Sequence, residues 1–94
     1  MPITKVEGEN RGHRVFLYAL STCGWCKKTK QFLRDNGVEY EYMDVDISTR
    51  EEKRAAIERL KEKGAPLAFP VIIVDDDRII SGFKQDAIRE ALGL

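Results

Sequence analysis

The chain of 94 residues is poor in the residue types that build metal centres and structural cross-links, with two cysteines and one histidine. Zinc usually takes four cysteine or histidine ligands, so this composition argues against a zinc site within one chain. Two cysteines allow at most one disulfide, and cytoplasmic proteins rarely rely on a disulfide for stability. We therefore expect neither a bound metal nor any other bound cofactor.

An excess of one charge and a long apolar run are also missing. Sixteen Lys and Arg residues balance sixteen Asp and Glu residues, whereas a nucleic-acid-binding domain usually carries a basic excess. The longest apolar stretch, residues 65–74, contains two prolines and is too short to span a bilayer. The first fourteen residues lack the apolar core of a signal peptide. We expect a cytoplasmic monomer with no nucleic-acid or membrane partner.

Apolar periodicity divides the chain into a polar lead-in, residues 1–13, and a single domain, residues 14–94. The predicted strands are 14–20, 38–45, 69–74 and 78–81, and the predicted helices are 24–36, 48–63 and 84–92. Strands that are joined through helices usually pair in parallel, so the first three should run parallel and the fourth antiparallel through the turn at 75–77. The order βαβαββα predicts an α/β protein with a four-stranded mixed sheet and helices on both faces.

The second helix has a start signal in its sequence. Ser48 and Glu51 have the spacing of a capping box, in which the serine caps the helix and the glutamate reaches back to the serine. We therefore predict that Ser48 is the cap.

The two cysteines, Cys23 and Cys26, lie at CxxC spacing between the first predicted strand and the first predicted helix. The thiolate is the reactive form of cysteine, and the free N–H groups and dipole of a helix start stabilise an anion there. Lys27 adds positive charge beside them. Cys26 lies one turn further along, where it can attack a mixed disulfide formed on Cys23. We predict dithiol–disulfide exchange with Cys23 attacking and Cys26 resolving.

Three other interpretations of the cysteine pair stay open. The pair can be half of a zinc site, although the other ligands are lacking. It can be a structural disulfide, although closing so small a loop stabilises by only about 2 kcal/mol. It can also be core packing, since buried free cysteine is common. A CxxC between a strand and a helix favours the redox interpretation.

Three local matches make residues 14–94 resemble the glutaredoxin family of the thioredoxin fold. They are Tyr18 to Cys26, Phe69-Pro70-Val71, and Ser81-Gly82-Phe83 with Asp86 after it. The resemblance implies a cis Pro70 that faces the cysteines and a Phe69 backbone that pairs with an extended substrate. Trp25 and Phe83 would form an apolar rim for a partner protein, unless they serve only in packing. The implied substrate-binding residues are Trp25, Lys27, Phe69, Pro70, Gly82 and Phe83.

Details within the resemblance disfavour glutathione as the reductant. Glutathione-using members commonly carry a lysine where this chain has Leu20, and an aspartate where it has Lys84. Lys84 would repel the glutathione ammonium, and the lost lysine removes a partner for a carboxylate. The stretch 81–86 instead resembles the Ser-Gly-Phe-Arg-Pro-Asp stretch of NrdH-type redoxins, with Gln85 in place of the proline. Those proteins pass electrons from a thioredoxin reductase-like enzyme to ribonucleotide reductase.

The resemblance implies three candidate functions. The favoured one is a small protein electron carrier that reduces the disulfide of a client protein, with ribonucleotide reductase as a candidate client, and is recharged by a thioredoxin reductase-type enzyme. The second is a glutathione-dependent glutaredoxin. The third is a glutathione-assisted iron–sulfur cluster module, for which Gly24 leaves room.

Overall fold

The computed structural model describes residues 3–94 and contains five strands and three helices. The elements are β1 (Ile3–Val6), β2 (Val15–Ala19), α1 (Gly24–Asp35), β3 (Tyr40–Asp44), α2 (Arg50–Glu62), β4 (Val71–Val74), β5 (Arg78–Ser81) and α3 (Gln85–Leu92), with a 3-10 turn (Val45–Ile47) before α2. Within these residues, every helix is too short or too polar to cross a membrane.

The strands form one mixed sheet in the order β1-β3-β2-β4-β5. β2 pairs with β3 in parallel, while β1 with β3, β2 with β4 and β4 with β5 are antiparallel. The hairpin of β4 and β5 is confirmed. The prediction that the first three strands all run parallel is wrong for β4, which runs against β2.

The antiparallel direction of β4 follows from the connection that precedes it. α2 starts beyond the end of β3 and finishes near the β4–β5 turn, where Arg59 and Lys63 contact Asp76. The 13-residue helix is about 20 Å long. Residues 63–70 form no helix or strand, and a connection of this length can reach as far as roughly 25 Å, which is enough to return the chain to the end of the sheet at which α2 began. Pro70 thereby enters β4 beside the end of β2.

The lead-in contributes a strand that the sequence pattern does not reveal. Residues 3–6 pair with β3, and Asn10 N–H then donates to Gly37 O at 3.0 Å. A side chain on Gly8 would overlap the backbone of Gly37 and Val38, so glycine permits this close approach. The described residues form one strand more than the four predicted, because an exposed edge strand needs little apolar alternation. The domain boundary predicted between residues 13 and 14 stays a prediction.

Helices cover both faces of the sheet, as predicted. Leu17 of β2 belongs to a buried cluster that includes Leu33 of α1 and Ile88 of α3. Tyr18, the next residue, points to the other face and belongs to a cluster with Leu60 of α2. This alternation follows from the period of two along a strand. Cys26 of α1 belongs to the first cluster.

The capping box of α2 lies one residue later than predicted. Thr49 Oγ1 accepts from Glu52 N–H at 3.2 Å, and Glu52 Oε1 accepts from Thr49 N–H at 2.8 Å. Both registers fit the pattern, but Ser48 is used by the preceding 3-10 turn: its Oγ donates to Asp44 O at 2.9 Å. The segment between β3 and α2 is therefore closed by an internal hydrogen bond before the helix begins.

Candidate active site

Cys23 is the N-cap of α1. Its φ of −79° and ψ of 120° are extended, and its Sγ accepts from Cys26 N–H at 3.3 Å, as a capping serine oxygen would. Cys23 N–H donates to Leu20 O at 3.2 Å and so closes the turn between β2 and α1. The strand-to-helix junction predicted from the sequence therefore holds the first sulfur at the positive end of the helix.

The two thiols are unbonded and differ in their surroundings. Cys23 is half-buried and Cys26 has no exposed surface. Burial acts to raise the pKa of Cys23, but hydrogen bonds from the Cys26 thiol and from the backbone N–H groups of Cys26 and Trp25 lower this pKa below its ordinary value. Cys23 is thus the more acidic and the more accessible of the two.

Cys26 has the opposite character. Burial raises the pKa of its thiol to about 12, and the hydrogen bond to Cys23 acts in the same direction. Leu20 N–H, which donates to Cys26 Sγ at 3.4 Å, and the Lys30 cation act to lower that pKa. This asymmetry suits a pair in which Cys23 attacks first and Cys26 follows, although the roles themselves stay predictions.

A groove of about 220 Å³ lies in the same region and is formed by residues from three parts of the chain. Its lining residues are Trp25, Phe69, Pro70, Gly82 and Phe83. The Phe69–Pro70 peptide bond is cis, as the resemblance implied. Gly82 N–H donates to Pro70 O at 2.7 Å and holds the end of β5 against the proline. Five of the six predicted substrate-binding residues therefore lie together.

The aromatic rim of the groove is partly open. Trp25 is 58% exposed, which argues against a packing role alone. Its ring centroid lies 6.1 Å from that of Phe83, which also packs on Phe32 at 5.8 Å. Lys28 Nζ lies 4.6 Å from the Trp25 ring centroid. Lys27, the sixth predicted residue, is exposed on α1 outside the groove lining.

Comparison with known proteins identifies the family. Residues 15–79 match the family model described as glutaredoxin. The chain belongs to the glutaredoxin family. Members of this family are thiol–disulfide oxidoreductases that use cysteines without a further cofactor.

Solved structures agree with this assignment. The Methanosarcina mazei glutaredoxin is 41% identical to this glutaredoxin-family chain, with a TM-score of 0.87 and coverage of 100% of this chain and 90% of that one. Methanoredoxin of Methanosarcina acetivorans is 47% identical, with a TM-score of 0.85 and coverage of 93% and 90%. The glutaredoxin-like NrdH-redoxin of Escherichia coli, which has a thioredoxin-like activity profile, is 30% identical, with a TM-score of 0.67 and coverage of 82% and 92%. The predicted thioredoxin-like fold is confirmed.

Four polar residues next to the dithiol of this glutaredoxin-family protein are absent from the sequence-based prediction. Lys30 Nζ pairs with Asp44 Oδ1 at 2.9 Å and lies 4.1 Å from the Tyr42 ring centroid. Ser21 donates to Asp46 through both its backbone N–H and its hydroxyl. The parallel pairing of β2 with β3 brings these groups together, since parallel strands end at the same edge. The predicted parallel pairing of these two strands is the sequence feature from which this grouping could have been inferred.

Among residues 3–94, no three His, Cys, Asp or Glu side chains gather in a way that could hold a metal ion. Two of the three aspartates in the β4–β5 turn have partners elsewhere in the chain. Asp75 accepts from His13 Nδ1 at 2.7 Å and from Arg14 N–H at 2.9 Å, and Asp76 pairs with Arg59. This arrangement ties the turn to β2 and α2.

The Lys30–Asp44 pair predicts a measurable stability effect. Lys30→Met should lower the free energy of unfolding by about 1–3 kcal/mol, because it leaves a mostly buried carboxylate without its cation. Urea denaturation measures this change. Lys27→Met is the matched control on the same helix: Lys27 makes no ion pair with residues 3–94, and a change within about 0.5 kcal/mol is expected. Equal losses in both variants would contradict the prediction.

Proposed function

We propose that the chain is a small dithiol electron carrier that reduces disulfides in client proteins and is recharged by a thioredoxin reductase-type enzyme. The observation that carries this proposal is the pairing of an accessible, acidified Cys23 with a fully buried Cys26, next to an open aromatic groove. Ribonucleotide reductase is a candidate client within this proposal.

The proposed reaction moves two electrons from the dithiol to the client. The Cys23 thiolate attacks one sulfur of the client disulfide, and the other client sulfur leaves as a thiolate that takes up a proton. Cys26 then loses its proton and attacks Cys23 Sγ, and the mixed disulfide breaks. The client leaves with two thiols, and the chain holds a Cys23–Cys26 disulfide that the reductase reduces again.

A protein client is supported by the groove beside Cys23. The exposed ring of Trp25 supplies the large apolar contact that protein interfaces favour. The backbone N–H and C=O of Phe69 have no hydrogen-bond partner among residues 3–94, so they are free to pair with an extended client segment. The exposed aromatic surface is the feature that suits a polypeptide better than a small thiol.

A protein reductase is supported by the residues that flank the dithiol. Leu20 stands where a glutathione-binding lysine is common, and Lys84 stands beside Phe83 where an aspartate is common. Lys84 is exposed, so its charge meets any ligand that approaches this side of the groove. The likeness to NrdH-redoxin, a protein with a thioredoxin-like activity profile, points in the same direction.

The test is a reduction assay with two electron supplies. One arm contains NADPH and thioredoxin reductase, and the other contains NADPH, glutathione reductase and glutathione, with insulin as the protein disulfide in both. We expect turnover in the first arm. Turnover confined to the second arm would contradict the proposal and favour the glutathione-dependent alternative. That alternative is consistent with membership of the glutaredoxin family.

The iron–sulfur hypothesis is tested by purification without oxygen. A brown protein with cluster absorbance would favour it, and a colourless protein would argue against it. The Cys26→Ser variant keeps Cys23, the cluster ligand that this hypothesis needs. Under the iron–sulfur hypothesis it should therefore be as brown as the unmodified protein, with which it is compared.

Trp25→Ala should raise the KM for a protein disulfide about tenfold, equivalent to about 1.4 kcal/mol of binding. Its rate with a small aromatic disulfide should change little, because that probe needs no docking surface. Steady-state kinetics with the two substrates measure the difference. Ile47→Ala is the matched control, since Ile47 is exposed but lies outside the groove. A similar KM rise with both variants, or with both substrates, would argue against docking on Trp25.

A further inference from the structure

A carboxylate outside the groove holds the turn that carries the dithiol. Asp46 lies in the 3-10 turn after β3 and is exposed. Its Oδ1 accepts from Ser21 N–H at 2.7 Å, and its Oδ2 accepts from Ser21 Oγ–H at 2.6 Å. The Ser21 hydroxyl and N–H hold the pKa of Asp46 below its usual range, so the carboxylate is charged at neutral pH.

The peptide unit between Leu20 and Ser21 links this carboxylate to Cys23, and the preceding peptide unit contacts Cys26. Its N–H side donates to Asp46, and its C=O side accepts from Cys23 N–H at 3.2 Å. A peptide unit is planar, so the bond to Asp46 fixes the direction of the carbonyl. Leu20 N–H, one peptide earlier, donates to Cys26 Sγ at 3.4 Å. One short turn thus contacts both members of the dithiol.

The segment that carries Asp46, residues 44–48, is held in place by contacts of its own. Asp44, two residues earlier, pairs with Lys30, which lies one helical turn beyond Cys26. Ser48, two residues later, donates to Asp44 O at 2.9 Å. The segment that carries Asp46 is therefore bound to α1 through the Lys30–Asp44 ion pair and is closed by the Ser48–Asp44 hydrogen bond. It can thereby resist movement of the turn at Ser21.

We propose that Asp46 is a positioning residue for the resolving step, which acts through Ser21 to hold Cys26 Sγ in line with the Cys23 sulfur of a mixed disulfide. In this step the Cys26 thiolate forms the Cys23–Cys26 bond, the bond from Cys23 to the partner sulfur breaks, and the electron pair leaves with the partner thiolate. The Cys26 proton passes to solvent. The inference rests on the proposed dithiol chemistry but not on the identity of the reductase.

The resolving step should depend more strongly on this support than the first step. Attack by Cys23 is intermolecular, and the incoming disulfide can adjust to the position of the sulfur. Attack by Cys26 occurs inside the turn, where both sulfurs are fixed by the backbone, and small misplacements of reacting atoms are costly. Loss of Asp46 should therefore separate the two steps kinetically.

A stopped-flow reaction of the reduced protein with one equivalent of 5,5′-dithiobis(2-nitrobenzoate) measures both steps. The first coloured thiolate is released when Cys23 attacks, and the second is released when Cys26 resolves the mixed disulfide. Asp46→Ala should slow the second phase about tenfold and change the first phase by less than about twofold. Asp77→Ala is the matched control, because Asp77 is an exposed aspartate of the distant β4–β5 turn, and it should change neither phase.

Asp46→Asn separates positioning from charge. The amide keeps an acceptor for Ser21 N–H and can donate to the Ser21 hydroxyl, so its second phase should lie within about threefold of the wild-type rate. Equal slowing of both phases in Asp46→Ala, an unchanged second phase, or no rescue by Asp46→Asn would overturn the proposal. If the wild-type protein releases only one equivalent of the coloured thiolate, the proposed dithiol chemistry fails instead, so the two failures are distinguishable.

Discussion

Replacing Cys23 with serine should lower disulfide-reducing turnover by at least about 1,000-fold, because a serine hydroxyl is not ionised at neutral pH and cannot replace a nucleophilic thiolate. Replacing Cys26 with serine should also stop turnover, but at a later point. Cys23 can still form a mixed disulfide there, and no resolving thiol is present to release the partner. The Cys26→Ser variant should therefore accumulate a covalent complex.

Non-reducing gels and intact-mass spectrometry of each variant, incubated with an oxidised client peptide, measure this difference. The expected mass is that of the Cys26→Ser chain plus one peptide, and it should disappear after dithiothreitol. Thr22→Ser, which leaves both thiols in place, is a control for changes in the turn and should retain turnover. Accumulation of the complex in Cys23→Ser, with none in Cys26→Ser, would reverse the assigned roles.

The parts of the fold that the sequence predicts well are those decided by local chemistry. The apolar run that becomes β2 is buried, and the glycines after α1 and α2 adopt positive φ values of 65° and 70°, which suit helix ends. Cys23 behaves as an N-cap because the residues after it form a helix with an apolar stripe. The dithiol and its place at a helix start follow from these features alone.

The parts that it predicts poorly depend on the tertiary path of the chain. β1 consists of four residues, three of them exposed, and it is held by β3 and by the close approach at Gly8. The direction of β4 depends on the return of residues 63–70 across the molecule. Neither feature has a periodic signal, so the pattern of elements favoured four strands and a parallel β4.

The same distinction holds within the site. The residues of the groove carry recognisable short motifs, whereas Asp44 and Asp46 look like ordinary polar residues at the end of a strand. Their partners, Lys30 and Ser21, are 14 and 25 positions away in the chain. Only the parallel register of β2 and β3, in which Ala19 lies opposite Asp44, brings them to the dithiol. Supporting residues of this kind are found from the structure.

The two thiols of the folded, reduced protein should react with iodoacetamide at very different rates. At pH 7 a thiol with a pKa of about 12 is roughly 0.001% ionised. Burial of Cys23 acts to raise its pKa, but hydrogen bonds lower this pKa below its ordinary value, so a much larger fraction of Cys23 is thiolate. The more basic Cys26 thiolate is the stronger nucleophile, which recovers part of this difference. We expect alkylation of Cys23 to be at least about tenfold faster, and burial of Cys26 increases the ratio further.

The pH profile of this reaction gives the sign of each pKa shift. The rate at Cys23 should rise with pH and reach half of its plateau at a lower pH in the folded protein than in denaturant, because hydrogen bonds hold the pKa of Cys23 below its ordinary value. The rate at Cys26 should stay low up to about pH 10. Peptide mapping of the alkylated chain distinguishes the sites, and the same protein in denaturant is the control, where both should react alike. Comparable rates at the two sites in the folded protein would contradict the asymmetry on which the order of attack and resolution depends.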